Sequence, residues 1–221
     1  MSVVFGTSHA DAPLASLEVS RVHADALVLR QLVDVLCRAF DHDAHINWLI
    51  RQDDGRKLAL VELFDVLLSE MGGELGGEKG GELHATADHQ AAALWFPPGK
   101  TNGWRAQALF FRRLLKIAGP LRAVLRGIDL KRMDQRHPAE PHFYLQLLGV
   151  APEARCRGHA SALLRRLQSL AGQAKRPIYL ETSSQDNVAF YVRRGFNAIA
   201  ETTLSDNLQL WSLLWQPTDL C

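Results

Sequence analysis

The sequence is poor in the features that mark secreted, membrane or nucleic-acid-binding chains. It holds three cysteines in 221 residues, Cys37, Cys156 and Cys221. That odd, sparse set makes no disulfide framework, so free thiols in the cytoplasm are expected. No apolar run approaches the roughly 20 residues that a bilayer-spanning helix needs. The first ten residues lack a basic segment followed by an apolar one, so no secretory leader is expected. An excess of one charge is missing too: 25 Lys and Arg stand against 24 Asp and Glu, a net charge of +1. A general nucleic-acid or anionic-membrane binder usually carries a larger basic excess, so neither partner is expected. What remains is an ordinary globular composition, 47% hydrophobic and 22% charged. It is too apolar for a disordered chain, and 221 residues can bury a full core without staples.

Along the chain, a short lead-in ends in a possible strand over Ala15–Ser20. Leu27, Leu29, Leu32, Val33, Val35, Leu36 and Phe40 then recur at helical spacing between His23 and Phe40. Asp41-His42-Asp43-Ala44-His45 breaks that helix. A second helix fits Arg56 to Met71, with Leu60, Leu63, Phe64 and Leu67 on one face and Gly72 as its stop. Residues 72–82 repeat a Gly-Gly-Glu-x unit three times. Glycine loses the most backbone freedom on ordering, so this segment reads as a flexible loop, and its glutamates would repel an anion. Ala91 to Phe96 is a compact apolar strand closed by Pro97-Pro98-Gly99. Trp104 to Arg136 carries nine Lys or Arg against Asp129 and Asp134, on an amphipathic helix interrupted at Gly119-Pro120. A solvated basic face is the plain reading, and a wall around an anionic ligand the sharper one.

The last third alternates strand and helix. Over His142–Val150, strand periodicity sends Phe143, Leu145 and Leu147 one way and Tyr144, Gln146, Leu148 and Val150 the other. Ala160, Leu163, Leu164, Leu167 and Leu170 mark a helix. Pro177–Thr182 is a second strand, parallel to the first if the helix is a crossover. Asn187 to Arg194 is a short helix ending at Gly195, and Asn197–Thr203 with Leu208–Trp215 reads as a closing hairpin.

Between the first of these strands and its helix lies Pro152-Glu153-Ala154-Arg155-Cys156-Arg157-Gly158-His159-Ala160. Two arginines, a glycine permitting close backbone approach, and the unpaired N–H groups of a helix start make a ready anion site, with a diphosphate as natural guest. The spacing is neither a Walker loop nor a dinucleotide fingerprint. A plain strand-to-helix turn with a small residue for packing explains the same letters.

The stretch Arg155-x-x-Gly158-x-Ala160 resembles the Arg/Gln-x-x-Gly-x-Gly/Ala signature of the GNAT superfamily of acyl-CoA N-acyltransferases. Leu147-Leu148-Gly149-Val150-x-Pro152 resembles its fourth strand. Tyr179-Leu180-Glu181-Thr182-Ser183, Asn187, and Phe190-Tyr191-x-x-x-Gly195-Phe196 are similar to the second half of its acetyl-CoA site. Ala93-Leu94-Trp95-Phe96-Pro97-Pro98-Gly99 fits the subgroup that contains puromycin N-acetyltransferase. The specific resemblance spans about residues 140–200.

The resemblance implies one α/β domain over residues 1–221, with a mixed, twisted sheet of about seven strands, splayed between strands 4 and 5, and helices on both faces. Acetyl-CoA would sit in the splay as co-substrate. The backbone around Leu148, Gly149 and Val150 would pair with the pantetheine arm. Backbone amides of Arg155, Cys156, Arg157, Gly158, His159 and Ala160, with Ser161 beyond, would hold the diphosphate, and Asn187 would reach the pantetheine. A neutral amine would attack the thioester directly in a ternary complex. The Leu148 or Val150 N–H would steady the developing oxyanion, and Tyr191 would protonate the leaving thiolate. Against the family pattern, Cys156 stands where glycine is frequent and His159 where an aliphatic residue is. The glutamate that some members carry early in the fourth strand is replaced by Tyr144, followed by Gln146. The base is therefore unassigned between Glu181, His142 and a water chain.

The acceptor implied is a small-molecule amine. Its pocket would include Asp41-His42-Asp43-Ala44-His45 and Trp48, since acids near aromatic rings suit an ammonium group. His42-x-x-His45 with its aspartates also has zinc-like spacing, but no further ligand cluster accompanies it and no metal is expected. A non-catalytic acyl-CoA-binding regulatory module is the alternative. A monomer and a homodimer are equally compatible with the sequence.

Overall fold

A computed structural model describes residues 17–23, 25–71, 80–99 and 112–217. Most of the Gly-Gly-Glu loop (72–79), the start of the basic stretch (104–111) and Cys221 lie outside these residues.

Seven strands form one mixed sheet: β1 (Val19–Arg21), β2 (Glu82–Thr86), β3 (Ala91–Phe96), β4 (Phe143–Val150), β5 (Ile178–Thr182), β6 (Phe196–Thr203) and β7 (Gln209–Trp215). Their spatial order is β1-β2-β3-β4-β5-β7-β6. Only β4 and β5 run parallel; every other neighbouring pair is antiparallel. The closing hairpin expected from the sequence is present, but its second strand, β7, inserts between β5 and β6. β3 is buried at all six positions, as a central strand covered on both faces must be.

Six labelled helices accompany the sheet: α1 (Ala26–Phe40), α2 (Ala44–Leu49), α3 (Arg56–Val66), α4 (Pro120–Asp134), α5 (His159–Ala174) and α6 (Gln185–Val192). Asp25 caps α1 by accepting from the Leu27 and Val28 N–H groups. The acidic break after α1 does more than stop a helix. Asp43 starts α2 by accepting from Ile46 N–H at 2.8 Å. A π-helical turn, Leu67–Met71, extends α3. The basic stretch is helical over 112–118, breaks at Gly119 and resumes as α4.

Two apolar clusters sandwich the sheet. One joins α1, α2, α3 and the start of α4 to Leu83, Ala85, Leu94, Phe96 and Leu147. The other joins α5 and α6 to Ala93, Trp95, Phe143, Leu145, Leu148, Val150, Leu180 and Leu213. The alternation read for β4 therefore needs correction. Phe143 and Leu145 share a face with Leu148 and Val150, while Leu147 lies on the other. The cause is a register shift: Leu94 pairs with Leu147, but the next residue, Trp95, pairs with Leu145. Gln146 is thus an extra residue in β4, and a bulge of this kind flips the alternation and bends the strand.

The basic face of α4 also departs from expectation. Arg126 is only 1% exposed. It stacks over Trp48 of α2 at 4.3 Å, donates to the Trp48 carbonyl at 2.9 Å, and bonds Ser205 and Asp206 in the β6–β7 connection. It straps three elements together rather than facing water.

Gly149 sits where β4 passes under α1. A Cβ there would lie 2.6 Å from Leu36 Cδ2 and 2.7 Å from Phe40 Cε2, both fully buried side chains. Gly149→Ala is expected to lower stability by about 1–3 kcal/mol through overpacking, measured by urea denaturation. An unchanged midpoint would mean that α1 yields freely over β4.

Candidate active site

β4 and β5 pair over three residues only, Phe143 with Ile178, Tyr144 with Tyr179 and Leu145 with Leu180. Beyond Leu145 comes the Gln146 bulge, and β4 continues to Val150 with no β5 partner. The orientation of its backbone follows from one bond. Ala151 N–H donates to Gln90 O at 2.8 Å, so residue 151 faces the β3 side. Alternation then turns Gly149 towards β3 and Leu148 and Val150 towards the open edge. The two amides expected to meet a thioester carbonyl are those that the bulge leaves facing the splay.

The loop after β4 is anchored to α1. Arg38 Nη1 donates to both Glu153 carboxylate oxygens, at 2.6 and 2.8 Å, and Arg155 Nη2 donates to the Ala39 carbonyl at 3.1 Å. Arg155 N–H is itself drawn towards the Pro152 carbonyl at 3.4 Å. Cys156 has φ +60° and Gly158 φ +88°. The left-handed backbone at 156 explains why glycine suits that position; cysteine adopts it at some cost. Gly158 starts α5 with no side-chain cap, so the first-turn N–H groups of His159, Ala160 and Ser161 have no intrahelical partner. Cys156 and Arg157 are exposed. The Arg155 Nε and His159 Nδ1 atoms are buried with no hydrogen-bond partner among the described residues. A donor in want of an acceptor, beside an open helix start, fits an anionic group.

Two residues that the sequence reading left out complete this end of the site. Arg194, just past α6, donates to Ser161 Oγ at 2.8 Å and lies over the Phe190 ring at 3.7 Å, which brings a cation to the start of α5. Asp88, in the β2–β3 turn, meets His159 Nε2 at 2.9 Å. Arg194 occupies one of the unspecified positions of the Phe190–Phe196 stretch and Asp88 belongs to no motif, and β2 itself, short and preceded by glycines, gave little periodic signal.

On α6, Asn187 and Tyr191 share a buried face, at 1% and 0% exposure. Asn187 Nδ2 donates to Thr182 Oγ1 at 3.1 Å, tying α6 to the end of β5. Tyr191 packs edge-on to Phe190 and Phe196, with ring centroids 5.3 and 5.2 Å away, in the cluster on the α5–α6 face. Burial pushes its hydroxyl well above the ordinary phenol range, so it keeps its proton at neutral pH.

The opposite face of the sheet holds a carboxylate. Glu181 follows Leu180, the last β5 residue paired with β4, and is 1% exposed. Tyr179 OH donates to its Oε1 at 3.0 Å and Tyr144 OH approaches its Oε2 at 3.4 Å. Ser212 Oγ lies 3.0 Å from the Tyr179 hydroxyl. Thus the tyrosine that replaces a fourth-strand glutamate reaches a glutamate on the fifth.

His137 wedges against both tyrosine rings, at 4.4 Å from Tyr144 and 4.7 Å from Tyr179. His142 Nδ1 lies 2.8 Å from the Glu140 carbonyl, which can only accept, so Nδ1 carries the proton. His142 Nε2 lies 3.2 Å from His137 Nδ1. Burial, with His142 alongside, pulls His137 down to about 4, so it is neutral at physiological pH. His142 is thereby engaged within this cluster. The aspartate–histidine segment after α1 does not converge: His42 is exposed, and His45 is buried edge-on to Trp48. Among the described residues no group of three or more His, Cys, Asp and Glu is placed to hold a metal ion.

Burial raises the Glu181 carboxyl above its usual range; the bonds from Tyr179 and Tyr144 offset only part of the lost hydration. A carboxyl raised in the fold stabilises it below the unfolded value of about 4.3, and that contribution is lost as pH climbs through the folded value. At neutral pH the ionised group weighs against folding. Glu181→Gln is therefore expected to melt above wild type at about pH 7.5, with the gap closing by about pH 4, in thermal melts followed by circular dichroism. A lower melting temperature for the variant at neutral pH would contradict the assignment.

Comparison with known proteins agrees with this geometry. Residues 118–196 match the model of the acetyltransferase (GNAT) family. The fold is similar to the crystal structure of histone acetyltransferase HPA2 and related acetyltransferase from Corynebacterium glutamicum, with 24% identity, 90% of this chain and 97% of that chain covered, and a TM-score of 0.67. It is also similar to arylalkylamine N-acetyltransferase 2 from Aedes aegypti, with 12% identity, 90% and 99% coverage, and a TM-score of 0.57. At these identities the likeness is one of fold. The resemblance carried by the Arg155–Ala160 loop and the Tyr179–Phe196 segment is borne out: both lie in the part of the chain that matches the GNAT acetyltransferase family model, on a seven-stranded sheet that opens between β4 and β5.

Proposed function

We propose that the protein is an acetyl-CoA-dependent N-acetyltransferase acting on a primary amine of a small molecule, by direct attack in a ternary complex. The observation that carries this reading is Glu181, a fully buried carboxylate at the mouth of the splay. Its hydrogen-bond partners among the described residues are two phenol hydroxyls, and it forms no ion pair there. Burying an ionised carboxylate without a cation is costly unless a ligand supplies the missing charge. An ammonium group would do so, and the raised affinity of Glu181 for protons suits it to accept one from that group.

The carrier's diphosphate would lie against the His159, Ala160 and Ser161 amides, with Arg155 and Arg194 nearby, and its pantetheine along the Leu148–Val150 edge. Acetyl-CoA supplies an activated acyl group as a thioester. Glu181 takes the proton of the incoming amine from the α1–α4 face. The Leu148 or Val150 N–H donates to the oxygen on which charge develops. Tyr191, on the other face and protonated at neutral pH, donates to the leaving sulfur. Base and acid are thus held on opposite sides of one sheet. The subgroup resemblance to puromycin N-acetyltransferase supports a small-molecule acceptor. The alternative of a non-catalytic acyl-CoA-binding module draws on the missing fourth-strand glutamate, a gap that Glu181 fills from β5.

Release of free CoA thiol on incubating the protein with acetyl-CoA and a panel of primary amines tests the proposal. Tyr191→Phe should lose about 10²-fold in kcat, as removal of a general acid does, with acetyl-CoA affinity unchanged. Glu181→Gln should lose as much, most steeply at the low-pH end of the profile, where the amine arrives protonated. Thiol release by no amine in the panel would favour the binding module, and wild-type rates in either variant would remove that residue from the mechanism.

A further inference from the structure

We propose that Tyr179, backed by Ser212 of β7, is the positioning residue for Glu181: it fixes one carboxylate oxygen and leaves the other to take the amine's proton. This rests on the reading of Glu181 as the base, and adds the residues that aim it.

Glu181 stands where the sheet holds it from one side. Tyr179 pairs with Tyr144 of β4 and with Leu214 of β7, inside the closed part of the sheet. Glu181, two residues on and on the same face, has Ser212 of β7 as its strand partner and none on β4. The last torsion of a glutamate side chain is broad, so a carboxylate at that lip turns unless hydrogen bonds stop it. Tyr179 reaches from the closed part to the open one. It is fully buried, with the His137 and His142 rings against its own at 4.7 and 5.9 Å between centroids.

The Tyr179 hydroxyl has one proton and two neighbours, Glu181 Oε1 and Ser212 Oγ, each at 3.0 Å. An ionised carboxylate only accepts, so Tyr179 donates to Oε1 and Ser212 donates to Tyr179. Burial and the Glu181 charge raise the Tyr179 hydroxyl, so the proton it donates stays on it. Each bond in such a chain polarises the next. The second oxygen is held differently: Tyr144 OH approaches Oε2 at 3.4 Å, a long contact that an incoming amine can displace. When Oε2 takes the amine's proton, Tyr179 keeps its bond to Oε1 and the base does not swing. Burial raises the Glu181 carboxyl, and the bond from Tyr179 opposes this more than the contact from Tyr144 or the charge of Arg136. Arg136 is itself tied to Thr202 of β6. Asp134, at the end of α4, and the His137 and His142 rings face the two tyrosines. All of these groups are retained when either tyrosine loses its hydroxyl, so the two losses can be compared directly.

The test is an NMR titration of isotope-labelled glutamate carboxyls, with the Glu181 signal assigned by its loss in Glu181→Gln, beside the pH profile of kcat/KM on one amine. Tyr179→Phe should move the Glu181 midpoint upward by about one pH unit, since a bond to a charged group is lost. The low-pH limb of kcat/KM should move with it, with KM for acetyl-CoA unchanged. Ser212→Ala, which leaves both tyrosines intact, should move both in the same direction by less. Tyr144→Phe should move them less than half as far as Tyr179→Phe. The amine's own ionisation is common to all variants and cancels. An unmoved Glu181 midpoint in Tyr179→Phe, or an equal shift in Tyr144→Phe, would overturn the proposal and leave Glu181 as the base. Wild-type turnover in Glu181→Gln, or no turnover in wild type, would overturn the base reading and this role with it.

Discussion

One extra residue in β4 organises the molecule. Because Gln146 has no counterpart on β3, the strand bends at that point, and the parallel pairing with β5 ends at Leu145. Everything assigned to the site follows from that break. The backbone edge at Leu148 and Val150 is left open. The loop after Val150 delivers an uncapped helix start to the same opening. Glu181 becomes the first β5 residue beyond the paired segment. A regular strand would have closed the sheet and buried the same atoms in ladder bonds.

The opening is held by contacts that do not line it. Arg38 with Glu153, and Arg155 with the Ala39 carbonyl, fasten the loop to the end of α1. Gly149 lets that helix lie directly on β4. Arg126 fastens the β6–β7 connection to α2 from the other side. Within this frame the chain tolerates groups that weaken it: a raised, buried carboxyl at Glu181, a left-handed cysteine at 156, and an unsatisfied imidazole nitrogen at His159. Such departures from local stability concentrate where a ligand can relieve them.

Much of this was legible in the sequence, and the limits have physical causes. The β4–α5–β5 unit, the closing hairpin and the break at Gly119-Pro120 were plain, because each has a strong period or a strong breaker. The side of β4 on which Leu147, Leu148 and Val150 fall was misread, because a bulge leaves no mark on a hydrophobic pattern yet inverts it. α2 was read as a mere break, since six residues are too few for periodicity. Arg126 looked like part of a solvated face, because its partners Trp48 and Asp206 are 78 and 80 residues away. The Arg155–Ala160 loop could be found by its letters. The Tyr144–Glu181–Tyr179 arrangement could not: it is a cross-strand relation, fixed by register rather than spacing. His137 belongs to no motif and Arg194 fills an unspecified position of one, so their contacts with the site follow from the tertiary fold.

The account depends on the splay being the seat of the thioester carrier. Amide hydrogen exchange with and without acetyl-CoA tests it most directly. Slower exchange at Leu148, Val150 and His159–Ser161 on adding acetyl-CoA, with β1 and β6 unaffected, is the predicted result. Unchanged exchange at those five amides under saturating acetyl-CoA would contradict it.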